Sequence, residues 1–378
     1  MLLLVFSYDA CDKGQNKMKI QTITIHNVPN FGSVLQTLAT QILFEKKHCE
    51  IETIDYCPPR LKVKNRVIQV FKGRGSLLKK IVIFLTMDVL NKYIFASFLK
   101  KRVKMTSRVY GLDEMESKLS KPDLYLTGSD QVWNSEHNQF INPVYYFENL
   151  KGKKASFSSS FGRSSLPESE KELIIPLLTD YELLSVREDS GKRILQELFP
   201  QKDVTQLLDP TLLISAAEWR CLASHSKDAE KTYILIYPMS GIDCRLFDIA
   251  KDVSRVIGLP IVMLSPGLKK YKQCDKTLNF QSPERFIELI DNAACVVTNS
   301  FHGTAFSINL ETPFISLMPQ KFSTRLQSLL ALFNLTDRIW DEKFDYSNVL
   351  SVDFSESRKI LEKEREKASL FIDKLMGL

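Results

Sequence analysis

Two α/β domains, each a mostly parallel sheet covered by helices, are predicted by three observations. The chain has 378 residues, 44% hydrophobic and 25% charged, a size that suits two domains of roughly 100–200 residues each. Short apolar runs alternate with helical patterns along most of its length, which is the βαβ rhythm. That rhythm pauses near residues 200–215 and resumes after Asp209-Pro210. The same composition excludes a fibrous repeat and a wholly disordered chain.

The regular pattern starts at residues 18–20. Residues 1–17 carry no clear element and read as an extension, with Met18 an alternative start. Residues 19–25 are the first predicted strand, 34–47 the first helix and 50–56 the second strand. A basic insertion at 60–108 follows. Residues 123–127 form a strand running into Gly128-Ser129-Asp130. Residues 154–158 and 183–186 are further strands, with helices at 168–179 and 189–198. In the second half, 233–237, 261–264, 294–298 and 314–317 read as strands, and 244–257, 283–292 and 304–309 as helices. A last helix, 355–376, sets Ile360, Leu361, Ala368, Leu370, Phe371 and Leu375 among charges and suits a cap on either domain. The predicted organisation is an extension (1–17), a first α/β domain (18–205) carrying the insertion (60–108), a second α/β domain (206–345) and a C-terminal helix (346–378).

The net charge of +6 is uneven. Between Arg60 and Arg108 there are 14 Lys/Arg and one acid, Asp88, so this window carries +13 and the remainder −7. Its middle, 77–99, is apolar and helix-compatible. One reading is a core helix with solvated ends, in which Ile81, Phe84, Leu85, Val89 and Phe95 pack inward. The other is a basic apolar element lying against an anionic membrane surface or a lipid-diphosphate-linked substrate. No clear membrane span is predicted, because Asp88, Asn91 and Lys92 interrupt the run 81–99. No aromatic-basic motif accompanies the charge, so nucleic acid is not an expected partner. The seven cysteines are odd in number and lack a CxxC pair, which predicts reduced, mostly buried thiols and a cytoplasmic protein. The five histidines are scattered without HExxH or HxH, and no metal site is predicted.

Ligands of open α/β sheets collect outside the carboxyl ends of the strands, and four strand exits stand out. His26-Asn27-Val28-Pro29-Asn30-Phe31-Gly32-Ser33 leads from strand to helix, where free backbone N–H groups hold anions or an ordinary βα turn forms. Thr127-Gly128-Ser129-Asp130-Gln131-Val132-Trp133-Asn134 crowds polar groups beside a Trp; Asp130 suits a general base or a helix cap. Arg187, in Ser185-Val186-Arg187-Glu188, suits a fork onto phosphate or carboxylate, or a structural ion pair. In Thr298-Asn299-Ser300-Phe301-His302-Gly303-Thr304, His302 is placed for acid–base chemistry and Gly303 for close approach of a ligand.

In wording and order these segments resemble the polysaccharide pyruvyl transferase family. The family's HNxxNYGxxLQ signature is similar to His26 through Gln36, and its GSDQxWN signature to Gly128 through Asn134. SVRE matches Ser185 to Glu188, DPTLL matches Asp209 to Leu213, and SFHG matches Ser300 to Gly303. A later Arg, a leucine-rich helix and an xDR pair look like Arg325 to Asp337-Arg338. The resemblance runs from about Lys19 to Arg338. It implies two Rossmann-like domains with a central cleft, similar to the GT-B glycosyltransferase fold. It also implies transfer of a pyruvyl group from phosphoenolpyruvate onto two hydroxyls of a sugar, giving a cyclic ketal, with no cofactor.

The implied roles are His302 as general acid at C3 of phosphoenolpyruvate and Asp130 as base toward a sugar hydroxyl. Asn30, Gly32, Ser33, Ser129, Gln131, Trp133, Asn134, Arg187, Ser300, Gly303, Thr304 and Arg325 are the implied substrate-binding residues. Some relatives hold the donor anion with an Arg two residues before the His; Ser300 stands there in this chain, and Arg325 is its candidate replacement. The implied acceptor is a sugar of a cell-surface polysaccharide, soluble or on its lipid carrier. That places the enzyme in the cytoplasm, at the inner membrane face if the basic window docks there. Two rival functions share the architecture: a nucleotide-sugar-dependent glycosyltransferase and a non-catalytic module of a polysaccharide assembly complex.

Overall fold

The computed structural model describes residues 17–72, 76–223, 232–239, 242–265, 267–319 and 323–378. The predicted extension, except its last residue, lies outside the described residues, as does Cys11. Strands β1 (Lys19–Ile23), β2 (Glu50–Thr53), β3 (Leu124–Thr127), β4 (Lys153–Ser156), β5 (Tyr181–Val186) and β6 (Val204–Gln206) pair in the order β2-β1-β3-β4-β5-β6, all parallel. Strands β7 (Ile234–Tyr237), β8 (Ile261–Leu264), β9 (Lys276–Leu278), β10 (Cys295–Thr298) and β11 (Phe314–Ser316) form a second parallel sheet, β11-β10-β7-β8-β9. Strands β3, β7, β8 and β10 are buried at every position, as expected where helices cover both faces. The two strands that sequence reading does not anticipate, β6 and β9, are short edge strands of mixed polarity, VTQ and KTL, and so do not register as apolar runs.

Strand order reverses between β1 and β3 in the first sheet and between β7 and β10 in the second. Such reversals splay the following loops apart and leave a crevice at the carboxyl edge. The helix Phe31–Glu45 begins at the first of these crevices and packs against helices Pro210–Leu213, Pro283–Asp291 and Asn91–Arg102. It is therefore buried around most of its circumference. Its Phe31 ring stacks on Phe286 (4.7 Å) and lies 5.0 Å from Phe95. A single apolar cluster runs from Ile20 and Leu35 beneath one sheet to Leu235 and Phe306 beneath the other, so burial of shared surface holds the two halves together. The C-terminal helix Ser355–Met376 ties both halves rather than capping one. Asp373 pairs with Lys47 (2.7 Å) and Phe371 packs on Phe157, while Arg365 donates to Asn309 (2.9 Å).

The basic insertion folds into a helix Val63–Lys72 and a long helix Leu77–Arg102 interrupted by a π-helical stretch, Phe84–Leu90. The long helix divides in two. Phe95, Phe98 and Leu99 enter the shared core, but Ile81, Leu85 and Val89 are exposed. The core-helix expectation thus holds only for the second half. By length and composition the helix is long and apolar enough to cross a membrane, which the sequence reading had not expected; burial of its second half commits that part to the protein. Thiol burial is less general than predicted: Cys49, Cys57 and Cys295 are buried, whereas Cys221 and Cys244 are exposed.

Candidate active site

The polar segments after β1 and β10 are shorter loops than their composition suggests. The Asn30 side chain accepts a hydrogen bond from the Ser33 N–H (3.2 Å), so the helix starts at Phe31 rather than at residue 34. The Ser300 hydroxyl accepts from the Gly303 N–H (3.3 Å), so the next helix, Phe301–Leu310, starts at Phe301 rather than at residue 304. Both are N-caps, which satisfy otherwise unpaired helix donors. The consequence is spatial. Gly32 and His302 sit in the first turns of helices from opposite halves, and a Cβ on Gly32 would collide with the His302 imidazole. Glycine is required there because the ring occupies the place of a side chain.

Beneath that contact lies a buried charge cluster. Arg187 donates through Nη1 to Asp209, and its Nη2 is 3.7 Å from Asp130. His302 Nε2 is 3.6 Å from Asp209 Oδ2. Asp209 also accepts from the Thr211 N–H (3.0 Å) and hydroxyl (2.7 Å), and from the Ser129 hydroxyl (3.3 Å). Asp130 accepts from the Ser33 hydroxyl (2.7 Å). Its φ of 71° is a left-handed conformation that a non-glycine residue adopts at a cost. Burial works to raise both carboxyls. For Asp209 it is outweighed by Arg187 and His302, and for Asp130 by Arg187, His302 and Arg325; both lie below the usual carboxylate range. Burial also opposes the Arg187 charge, but Asp209, Asp130 and Glu188 reverse the balance and raise it.

Arg325 reaches the same place from the helix Thr324–Leu332. Its guanidinium carbon is 5.6 Å from the centre of the Phe301 ring, and that of Arg187 is 4.6 Å from the same ring, a cation–π arrangement on one aromatic platform. Burial, then the neighbouring Arg187, push Arg325 down to about 10, which leaves it charged at neutral pH. A small cavity is lined here by Arg187, Asp209, Phe301 and Arg325. Buried donors on this platform are without acceptors: Nε and Nη2 of Arg187, and Nε of Arg325. Leaving such groups unpaired is costly, and a bound anion would satisfy them.

The sequence profile described as polysaccharide pyruvyl transferase matches residues 30–320, most of the chain and the site elements just described apart from the helix Thr324–Leu332 that carries Arg325. The chain belongs to that family. A comparison with curated protein sequences gave no match. Among solved structures it is similar to the UDP-GlcNAc 2-epimerase from Neisseria meningitidis bound to UDP-GlcNAc, at 12% identity and a TM-score of 0.51, covering 96% of this chain and 100% of that one. It is also similar to the spinosyn rhamnosyltransferase SpnG, at 12% identity and a TM-score of 0.49, covering 96% and 100%. At that identity the likeness concerns the fold, two Rossmann-like domains of GT-B type, in agreement with the two parallel sheets.

This family member gathers Gly32, Ser33, Ser129, Asp130, Arg187, His302 and Arg325 in the cleft. Other predicted ligand residues have structural work. Trp133 is buried among Tyr146, Phe161 and Tyr181. Asn134 caps a short helix and donates to Gln131 (2.6 Å), so both amides are engaged internally. Gly303 gives room to Thr298 and Tyr237 rather than to a ligand, since a Cβ would strike both. The Thr304 hydroxyl is bonded to Ser316 (2.7 Å), and Ser300 and Asn30 are caps. Sequence reading missed two contributors. Asp209 lay in the quoted DPTLL element, where an N-cap before Pro explains an aspartate without chemistry. Glu188 is fully buried and accepts from Ser160 and the Gly162 N–H, each at 2.9 Å.

Proposed function

We propose that this chain transfers a pyruvyl group from phosphoenolpyruvate to two hydroxyls of a sugar, forming a cyclic ketal and releasing phosphate. The observation that carries the reading is the pair of buried guanidiniums on Phe301 with unpaired N–H donors, beside a His–Asp pair. A small, highly charged donor needs forked cations more than it needs a pocket for a base and ribose. Arg187 and Arg325 would hold its phosphate and carboxylate, with Arg325 supplying the charge that Ser300 does not.

In the reaction, C3 of the donor takes a proton, a sugar oxygen bonds to C2 and the C2–phosphate oxygen bond breaks. A second hydroxyl then bonds to C2. One hydroxyl proton balances that gained at C3, and the other leaves with phosphate. His302 is the proton donor, and Asp209, held as an anion 3.6 Å from its Nε2, orients the ring. Asp130 serves differently from the sequence-based expectation. Its lowered pKa makes it a weak proton acceptor, so it acts as a positioning residue that holds Ser33 and faces Arg187. The acceptor is a polysaccharide sugar unit.

Calorimetric titration and phosphate release test this. Phosphoenolpyruvate should bind and UDP-sugars should not; the reverse would overturn the proposal in favour of glycosyl transfer. Release that depends on an acceptor sugar should fall about 100-fold or more in His302→Ala, with a smaller change in donor affinity. Arg325→Gln should instead weaken donor affinity, as loss of a charged hydrogen bond of about 1.5–3 kcal/mol would. Unaltered donor binding in that variant would remove Arg325 from the anion seat.

A further inference from the structure

The insertion carries a surface that the cleft chemistry does not use. The helix Val63–Lys72 and the first half of Leu77–Arg102 lie side by side as a hairpin. Arg66 Nε bonds to Asp88 Oδ1 (2.6 Å), Lys80 Nζ donates to the Phe71 carbonyl (2.9 Å), and the Phe71 and Phe84 rings are 6.5 Å apart. The single acid of the window is thus buried against an arginine inside the hairpin, and no negative charge remains on its surface among the described residues.

The outer flank is apolar. Leu78, Val82, Leu85 and Val89 follow at intervals of four, three and four residues, the spacing of one side of a helix, and all four are exposed, Leu78 by 72% and Leu85 by 54%. Val63 and Ile68 on the neighbouring helix are exposed too. Exposed apolar side chains grouped along one side of a helix in this way mark an interaction site. Lys64, Lys72 and Lys79 are exposed on the same two helices. Exposed apolar residues on helices that also carry exposed lysines, in a chain that is otherwise net negative, are complementary to an anionic lipid headgroup layer, with the leucines reaching the acyl boundary.

Length decides between lying in the surface and spanning it. Phe95, Phe98 and Leu99 are buried in the core, so only Leu77 to Leu90 is free to leave water. Fourteen residues at about 1.5 Å each reach roughly 21 Å, short of the roughly 30 Å hydrocarbon thickness. The hairpin also has a defined place. Phe95 packs on Phe31 at the carboxyl edge of the first sheet, and Met87 approaches Gly267, which follows β8 at the carboxyl edge of the second. The exposed half stands at the mouth of the cleft.

We propose that this hairpin docks the protein on an anionic phospholipid surface, inserting Leu78, Val82, Leu85 and Val89 at shallow depth and turning the cleft mouth toward the lipid. The inference rests on exposure, spacing and charge in the insertion and does not depend on the donor chemistry above.

The test is co-sedimentation of the full chain with vesicles of phosphatidylcholine, with and without phosphatidylglycerol. Binding should require phosphatidylglycerol and should fall as salt shortens the Debye length toward about 3 Å. Neutralisation in Lys64→Gln/Lys79→Gln should weaken it about fivefold per lysine, and Leu78→Ser/Leu85→Ser about tenfold per leucine. These side chains are exposed, so thermal unfolding of the variants should match the parent. Absence of binding to phosphatidylglycerol vesicles at low salt would overturn the proposal. So would binding that ignores the leucine substitutions, which would mean charge alone acts. A dimer in solution that the same leucine substitutions dissociate, together with failure to bind vesicles, would assign the face to a second copy of the chain instead.

Discussion

The cleft and the insertion hairpin hold opposite kinds of misplaced group. In the cleft, Arg187, Asp209 and Glu188 are charged side chains with almost no access to water. On the hairpin, Leu77, Leu78 and Leu85 are large apolar side chains left more than half exposed. Each arrangement costs stability. Buried charge must recover its desolvation through partners, and exposed leucine forgoes the gain of burial, about 1.5–3 kcal/mol for a whole side chain. The cleft recovers most of its cost internally, through the Arg187–Asp209 pair and the hydroxyls of Ser33, Ser129 and Thr211. The hairpin recovers nothing among the described residues. A site that is nearly balanced and retains a few unpaired donors fits a small ligand, whereas an unbalanced apolar flank fits a large surface.

Breaking the internal balance of the cleft should have the largest effect. Asp209→Asn leaves Arg187 short of its principal counter-charge, and loss of one partner of a buried pair costs about 3–5 kcal/mol. Urea unfolding measures this. A loss below about 1 kcal/mol would mean that Asp130 and Glu188 suffice, and that the comparison overstates how finely the cleft is balanced.

The two halves of the long helix should then separate. Phe95→Ala removes a core ring, 4% exposed against Phe31, and should cost about 3–5 kcal/mol. Leu85→Ser should stay within about 0.5 kcal/mol. Equal losses would show that the hairpin flank is covered in solution and would erase the contrast.

A third effect is set by pH. The Asp130 and Asp209 carboxyls lie below the ordinary value of 3.8 in the folded state, so the folded chain binds fewer protons than the unfolded one in acid. Their contribution is complete above about pH 4–5 and is lost as pH falls through the folded values. Between pH 5 and 3, stability of the parent should therefore drop with a steeper slope than that of Asp209→Asn. Parallel slopes would mean that other carboxylates dominate acid unfolding.

Much of this was legible in the sequence. The strand–helix alternation placed most strands to within two or three residues, because a parallel strand covered on both faces is a compact apolar run. The strand-exit motifs also point to His302, Asp130 and Arg187, which the structure brings into one cluster, since the carboxyl edge is where such sheets place ligands. The helix starts were read three residues late at both Phe31 and Phe301. Asn30 and Ser300 resemble loop residues when the N–H groups they cap are unknown. That Trp133, Asn134 and Thr304 make internal contacts is not legible in the sequence, because a polar or aromatic residue beside a motif does not declare which neighbours it will have.

Sequence by itself determined the class of fold, the family and the uneven charge, because these depend on residue type and spacing along the chain. Only the tertiary structure decided that Asp209 sits between Arg187 and His302, that Arg325 joins Arg187 on Phe301, and that Gly32 yields its place to the His302 ring. Only it decided, too, that one helix is core at Phe95 and surface at Leu85. These are pairings between residues far apart in the chain. Their energies come from distance, burial and local dielectric, quantities that exist only once the two sheets have closed on one another.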